Sequence, residues 1–259
     1  MFYNTDEHRE PMRSLFRSAV DVLRSQGPLA LFWRSVDFVY RRTIAPLLPK
    51  RCVRYSSVDV PAARIFDEIL PWRSRKDRPN YESGLIAGME AHIEPGADVV
   101  IVGGGWGVTA VKAAEKIGSS GTVTVYEGSV EEVEQVRGTV KMNGYADIVT
   151  VNHAIVGTAL NLRGDSGDAK VVDPDDLPQC DVLELDCEGA EIEILEALTI
   201  RPDVILVETH GRYDAPTDEV ASILSDQSYS VVTNVIADED LREQCESDDI
   251  RVLTALSEH

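Results

Sequence analysis

Between residues 98 and 253 short apolar runs alternate with stretches of helical spacing, and this rhythm limits the fold more than any other feature. Asp98–Val102 (DVVIV), Thr122–Glu127 (TVTVYE) and residues 148–152, 181–186 (DVLELD) and 203–208 (DVILVE) are too short for helices. They are also too apolar for strands with a wet face, so they read as strands buried on both sides, as in parallel sheets. Residues 83–93, 107–117, 129–142, 191–198 and 217–227 read as helices, the third opened by Ser129-x-x-Glu132, a capping box. Residues 229–235 and 250–253 are two further strands with no long helical pattern between them, and they are expected to pair antiparallel. Seven strands interleaved with helices predict an α/β, Rossmann-like doubly wound, mostly parallel sheet.

In such sheets ligands bind beyond the carboxyl ends of the strands, so the residues just after each run are the candidates. Gly103-Gly104-Gly105-Trp106-Gly107 follows the first run and opens a helix. Missing Cβ atoms let a backbone approach a ligand closely. A dinucleotide fingerprint starting at Gly103 needs glycine at position 108, where Val108 stands, so the spacing is GxGxG. Glu127 ends the second run, where a carboxylate can accept hydrogen bonds from both hydroxyls of a ribose. Loop and acid together imply a nucleoside-bearing cofactor. Its candidate contacts are Gly103, Gly105, Gly107, Glu127 and Gly128, then His153 and Ala154 after the third run and Asp186 after the fourth.

The stretch Asp186-Cys187-Glu188-Gly189-Ala190-Glu191 places carboxylates at a strand tip ahead of a helix. Glu191 by itself reads as a charge at the helix N-terminus, and Glu193 and Glu196 as the solvated face. Glu208-Thr209-His210-Gly211 follows the next run. If these two strands are neighbours, Asp186, Glu208 and His210 converge. Two carboxylates and an imidazole can hold a divalent cation or organise a general base. The base is preferred, because an imidazole is an unusual ligand for magnesium, and no metal ligand is assigned.

Charge divides the chain. Residues 1–80 hold 15 basic and 9 acidic side chains, +6, whereas residues 81–259 hold 10 basic and 36 acidic, −26. The split predicts a basic helical N-terminal extension over residues 1–80 and a ligand-binding domain over 81–259. Leu15, Phe16, Ala19, Val20 and Leu23 make one apolar helical stripe, and residues 29–44 suggest a second helix ended by Pro46 and Pro49. Two readings fit: a basic amphipathic cap touching an anionic membrane or a lipid-linked substrate, or two ordinary helices packed on the main domain. No apolar run approaches the ~18–20 residues of a membrane span. Early acids (Asp6, Glu7, Glu10) argue against a secretory signal, so a cytoplasmic chain is expected. Four cysteines in no metal or disulfide pattern fit reduced thiols. A net charge of −20 with 6 Lys against 19 Arg suggests a surface suited to high salt.

Read in order, GGGWG, VYEGS, TVKMNGYADIVTVNHAIVG, LELDCEGAEIEIL and ILVETHG resemble the FkbM-type family of class I methyltransferases over roughly residues 80–235. The most specific piece is DxEGAE, residues 186–191, followed by Glu208 and His210. With its low-lysine composition, the chain looks like a halophilic archaeal member. The resemblance implies S-adenosylmethionine as cofactor and O-methylation of a hydroxyl on a sugar, glycan or related metabolite, with Asp186, Glu208 and His210 at the transfer centre. Two residues depart from the family's pattern. Ile101 stands where an acid usually precedes the loop by two residues and helps hold the cofactor's methionine end, and Gly128 replaces the proline usual after the second-strand acid.

Three other readings are weaker. A nicotinamide-dependent oxidoreductase is opposed by Val108 and by the lack of a plausible Tyr-x-x-x-Lys pair. A nucleic-acid methyltransferase would use the +6 arm as an electrostatic foot, but the −26 body repels phosphates and no Asn-Pro-Pro-Tyr-like segment follows the fourth strand. A cofactor-binding protein without catalysis is suggested only by Ile101.

Overall fold

The computed structural model describes residues 27–30, 32–33, 35–36, 39–44, 47–64, 76–158 and 164–258. The first expected helix, residues 12–26, lies outside them. The second is helical at residues 27–30, 32–33 and 35–36 and ends in a π-helical turn, Tyr40–Ile44. Next come β1 (Lys50–Tyr55) and β2 (Val58–Arg64), an antiparallel hairpin. Its turn residues Ser56 and Ser57 adopt φ of 46° and 69°, as a two-residue type I′ turn requires.

The main domain follows as α1 (Ser83–His92), β3 (Asp98–Val102), α2 (Val108–Ile117), β4 (Thr122–Glu127), α3 (Val130–Met142), β5 (Val149–Val156) and β6 (Lys170–Val172). It continues with β7 (Val182–Leu185), α4 (Glu191–Ala197), β8 (Val204–His210), α5 (Thr217–Asp226), β9 (Tyr229–Ile236), α6 (Arg242–Asp248) and β10 (Ile250–Ser257). The strands form one sheet in the order β6-β5-β4-β3-β7-β8-β10-β9. Every neighbouring pair is parallel except those made by β10, which runs antiparallel to both β8 and β9. The architecture is the expected Rossmann-like, doubly wound α/β fold. The strand count is corrected from seven to eight: β6 is a three-residue edge strand with Val171 70% exposed, too short to carry a readable period. The short helix α6, rich in acids, was also not expected.

The core has two layers because successive strand residues point to opposite faces. Val99 and Ile101 pack with Leu85, Met89, Val111, Val136 and Val140 beneath α1, α2 and α3. Val100 and Val102 pack with Ile194, Leu195, Val220 and Leu224 beneath α4 and α5. Val53, Tyr55, Val58 and Val60 of the hairpin join the first of these layers. The extension expected to be helical up to residue 80 is therefore partly β, and the change of charge near residue 80 is not a break in packing. Tyr55 shows why. It is fully buried, with ring centroids 5.0 Å from Tyr81 and 5.9 Å from Trp106 of the glycine loop.

Candidate active site

From β3 the chain winds outward through β4, β5 and β6, then returns to lay β7 on the other side of β3. The carboxyl ends of β3 and β7 thus open onto a crevice where the winding reverses, the place such sheets bind ligands. Gly103, at φ 99°, begins the loop; a Cβ there would lie 1.8 Å from the Asp186 carbonyl oxygen, so the two strand ends meet at a spacing only glycine allows. Gly105, at φ 48°, is different. Only Glu82 Oε1, at 3.9 Å, lies within 4 Å of its imagined Cβ, and the space beside it belongs to the cleft.

That cleft measures about 720 Å³, counting space open to solvent. Of the expected cofactor contacts, Gly103, Gly105, Glu127, Gly128, Ala154 and Asp186 line it. Tyr81, Glu82, Tyr126, Ile155, Val156 and Glu188 complete most of the wall. Gly107 and His153 do not line it. Gly107 caps α2 and packs against α3, where a Cβ would be 3.0 Å from Val136 Cα. The His153 Nε2 atom lies 3.2 Å from the Gly128 carbonyl oxygen, beneath the wall.

Glu127 is buried and already engaged. Its Oε2 accepts hydrogen bonds from the backbone N–H of Gly104 (2.8 Å) and Gly105 (3.2 Å), and its Oε1 from Ser129 (2.8 Å). A carboxylate offers roughly four acceptor positions. The expected pair of ribose contacts therefore shrinks to about one, and Glu127 gains a second task, holding the glycine loop in shape. Ser129 caps α3 by accepting from the Glu132 N–H, as the capping box predicts.

Because β7 and β8 are neighbours, Asp186, Glu208 and His210 do converge. The His210 Nε2 atom is 3.6 Å from both Asp186 Oδ1 and Glu208 Oε1. Its Nδ1 atom is 2.9 Å from Glu191 Oε1. Glu191 is fully buried and also accepts from the N–H of Cys187 (3.2 Å) and Gly189 (2.8 Å). With a carboxylate at Nδ1, that nitrogen carries the hydrogen and Nε2 becomes the atom that gains or loses a proton. Burial works against the His210 cation, but the Glu191 hydrogen bond and the charges of Asp186, Glu191 and Glu188 outweigh it, and the pKa is raised.

Other carboxylates crowd the same place. Burial first, and then the Asp186 and Glu82 charges, push Glu208 well above the carboxylate range. Glu82, in a left-handed turn before α1 (φ 50°), is pushed up to about 8 by burial and by Asp186, although the Tyr81 hydroxyl and Arg78 pull the other way. Glu184, fully buried within β7, is also raised well above its ordinary value, by burial and by Glu82 and Asp186. One of its carboxylate oxygens, Oε2, is buried with no hydrogen-bond partner. Glu184 stands in register beside Ile101, so this sheet carries its buried acid one strand over from the position the resemblance leads one to expect.

Sequence reasoning named the converging triad but not Tyr81, Glu82, Glu184 or the role of Glu191. A glutamate interrupting an apolar strand run, as in DVLELD, was a visible signal for Glu184. For Glu191, a helix-terminal charge describes the position and misses the contact.

No family model and no curated protein matches the sequence, so the FkbM resemblance rests on its motifs. Solved structures similar to the chain include an S-adenosylmethionine-dependent O-methyltransferase from Thermotoga maritima, at 16% identity over 81% of this chain and 78% of that one, TM-score 0.47. A precorrin-6y methyltransferase from Geobacter metallireducens shares 16% identity over 68% and 88% of the two chains, TM-score 0.48. An S-adenosylmethionine-dependent methyltransferase from Aquifex aeolicus shares 17% over 64% and 85%, TM-score 0.42. These are likenesses of outline, and the roles of residues are read from this chain's own site.

Proposed function

We propose that the protein is an S-adenosylmethionine-dependent O-methyltransferase of the FkbM type, acting on a hydroxyl of a sugar, glycan or related metabolite. One observation carries the reading: the cleft between the glycine loop and Glu127 ends at Asp186, and Asp186 also borders the buried Glu191–His210 pair. The residues present suit the cofactor. Ala154, Ile155 and Val156 offer an apolar wall for the base, Glu127 keeps an acceptor for a ribose hydroxyl, and Glu82 and Asp186 face the cationic end. S-adenosylmethionine would supply an activated methyl on a sulfonium.

The chain's own residues do the rest. Asp186 and Glu208 orient the acceptor hydroxyl at the rim. His210 Nε2 takes its proton as the oxygen attacks, and Glu191 holds the ring and stabilises the imidazolium formed. Such a base contributes typically about 10²–10⁴-fold. Fixing the oxygen in line adds several kcal/mol, up to ~7–11 in good cases. His210 must be neutral to act, so turnover should rise with pH through a midpoint above the ordinary 6.5. We further assign the part of residues 1–75 that precedes the hairpin, residues 1–47, to substrate access at an anionic membrane surface in a halophile's cytoplasm. The exposed Leu29, Phe32, Trp33, Ile44 and Leu47 support that reading. Among the described residues no helix is long and apolar enough to cross a membrane.

Calorimetry with S-adenosylmethionine, followed by mass spectrometry of glycans and lipids incubated with enzyme and cofactor, tests the reading. One added methyl on a sugar hydroxyl is expected. Absence of cofactor binding, or tighter binding of NADH, would sink it.

A further inference from the structure

We infer that Asp186, Glu208 and His210 form a binding site for a first-row divalent transition cation such as Mn²⁺ or Zn²⁺, with Glu191 as the carboxylate that orients the imidazole. The inference deepens the methyl-transfer reading and rests on it for its purpose, although cation binding is measurable without it.

The donor atoms of the three residues all lie within 4.8 Å of one another. Nitrogen and oxygen ligands sit roughly 2.1 Å from such a cation, which at tetrahedral or octahedral angles sets them about 3.0–3.4 Å apart. The two 3.6 Å separations from His210 Nε2 exceed that spacing by only a few tenths of an ångström. Metal-bound imidazoles commonly donate their second N–H to a carboxylate, which fixes the tautomer and strengthens the ligand. Glu191, itself held by two backbone N–H groups, stands in that position.

A second observation is independent of the triad. Glu184, two residues before Asp186, is 1% exposed with Oε2 unpartnered, and the charges of Glu82 and Asp186 act on it. Left ionised, a buried carboxylate beside further acids is costly unless positive charge is supplied nearby. The nearby Arg78 guanidinium is committed to Asp238. Two carboxylate oxygens and one imidazole match manganese or zinc better than magnesium. A cation there would occupy His210 Nε2 and so take the place of the base assigned to that atom: it would lower the proton affinity of a hydroxyl bound at the same rim, whose proton would then leave to solvent. The other acidic triple, Asp173, Asp175 and Asp176, is exposed and has no imidazole, so it serves as an internal control.

The test uses the full chain stripped with EDTA and titrated with MnCl₂, following loss of the free-ion electron paramagnetic signal, then with ZnCl₂ in competition. One ion per chain is expected. Asp186→Asn and Glu208→Gln should each weaken it at least about tenfold, and Glu191→Gln by about 10–100-fold, with melting curves confirming that each variant folds. Asp175→Asn should leave the affinity unchanged. Affinity should rise with pH, since the cation must displace protons from His210 and Glu208. No stoichiometric uptake of either ion at neutral pH overturns the proposal, as does an affinity unmoved in both folded variants Asp186→Asn and Glu208→Gln or equally reduced in Asp175→Asn. Uptake without S-adenosylmethionine binding supports the cation site while sinking the methyl-transfer reading. Cofactor binding without uptake does the reverse.

Discussion

Glu127 serves two masters, the glycine loop and a ligand. Glu127→Gln keeps the size but leaves one acceptor oxygen for three backbone N–H groups. Stranded buried donors cost about 1–3 kcal/mol, so both the melting temperature and the cofactor affinity should fall. A variant that loses affinity while melting like the parent would remove the loop-holding role. Glu82 gives a pH signature. Its folded pKa is raised from 4.5 to about 8, so between those values the folded chain keeps a proton that the unfolded chain has shed. Its contribution is complete below the lower value and is lost as pH climbs through the upper one. In EDTA-treated protein, thermal stability should therefore decline from mildly acidic to mildly alkaline pH, and Glu82→Gln should flatten the decline. Equal slopes in parent and variant would refute this. The convergence of Asp186, Glu208 and His210 was legible because each sits at a strand tip. The Glu191–His210 bond was not, since it joins residues 19 apart on different elements, and the turn that precedes Glu191 needs positive φ at Glu188 and Gly189.

At the scale of elements, β3 and β4 coincide with the apolar runs residue for residue: β3 is buried from Val99 to Val102, and β4 alternates buried with half-buried residues. The hairpin was missed although its alternation was present: Val53 and Tyr55 point inward and Arg54 outward, then two serines turn the chain. Positive charge and the helical stripes upstream obscured it. Its position changes what truncation should do. Asn143 exchanges hydrogen bonds with the Asp59 backbone, Lys50 donates to Gln135, and Tyr55 packs on Tyr81 and Trp106. Removing residues 1–47 should spare cofactor binding, whereas removing 1–75 should abolish it by withdrawing support from the loop and from α1. Calorimetry on the two truncated chains decides it; equal affinity in both would mean the hairpin does not brace the cleft. Liposome flotation of the shorter deletion tests the membrane role separately, with loss of association to anionic vesicles expected.

Over the whole molecule, repulsion between like charges outweighs the attraction of surface ion pairs. The net charge of −20 combines +6 in residues 1–80 with −26 in residues 81–259, where 10 basic side chains, Arg242 beside Glu239 and Glu246 among them, face 36 acids. Exposed pairs contribute little, about 0–1 kcal/mol each, whereas self-repulsion is relieved wherever salt shortens the Debye length. The melting temperature should rise markedly from dilute buffer to molar potassium chloride. A salt-independent transition would dismiss the halophile reading while leaving the chemistry of the cleft in place.

The strand order has one more consequence, for the order in which the protein comes into being. Glu208 and His210 lie on β8, and the strand zipped along its outer side is β10, drawn from residues 250–257. A chain emerging from the ribosome presents the glycine loop, the hairpin and β3 to β5 early and can assemble them as they appear. The edge of β8 that carries the imidazole then stays unpaired until some forty further residues have been made. The cleft can be shaped during synthesis, but its chemistry is completed only when β10 slides between β8 and β9, so a nascent protein cut short before residue 250 would own a binding groove and no working centre.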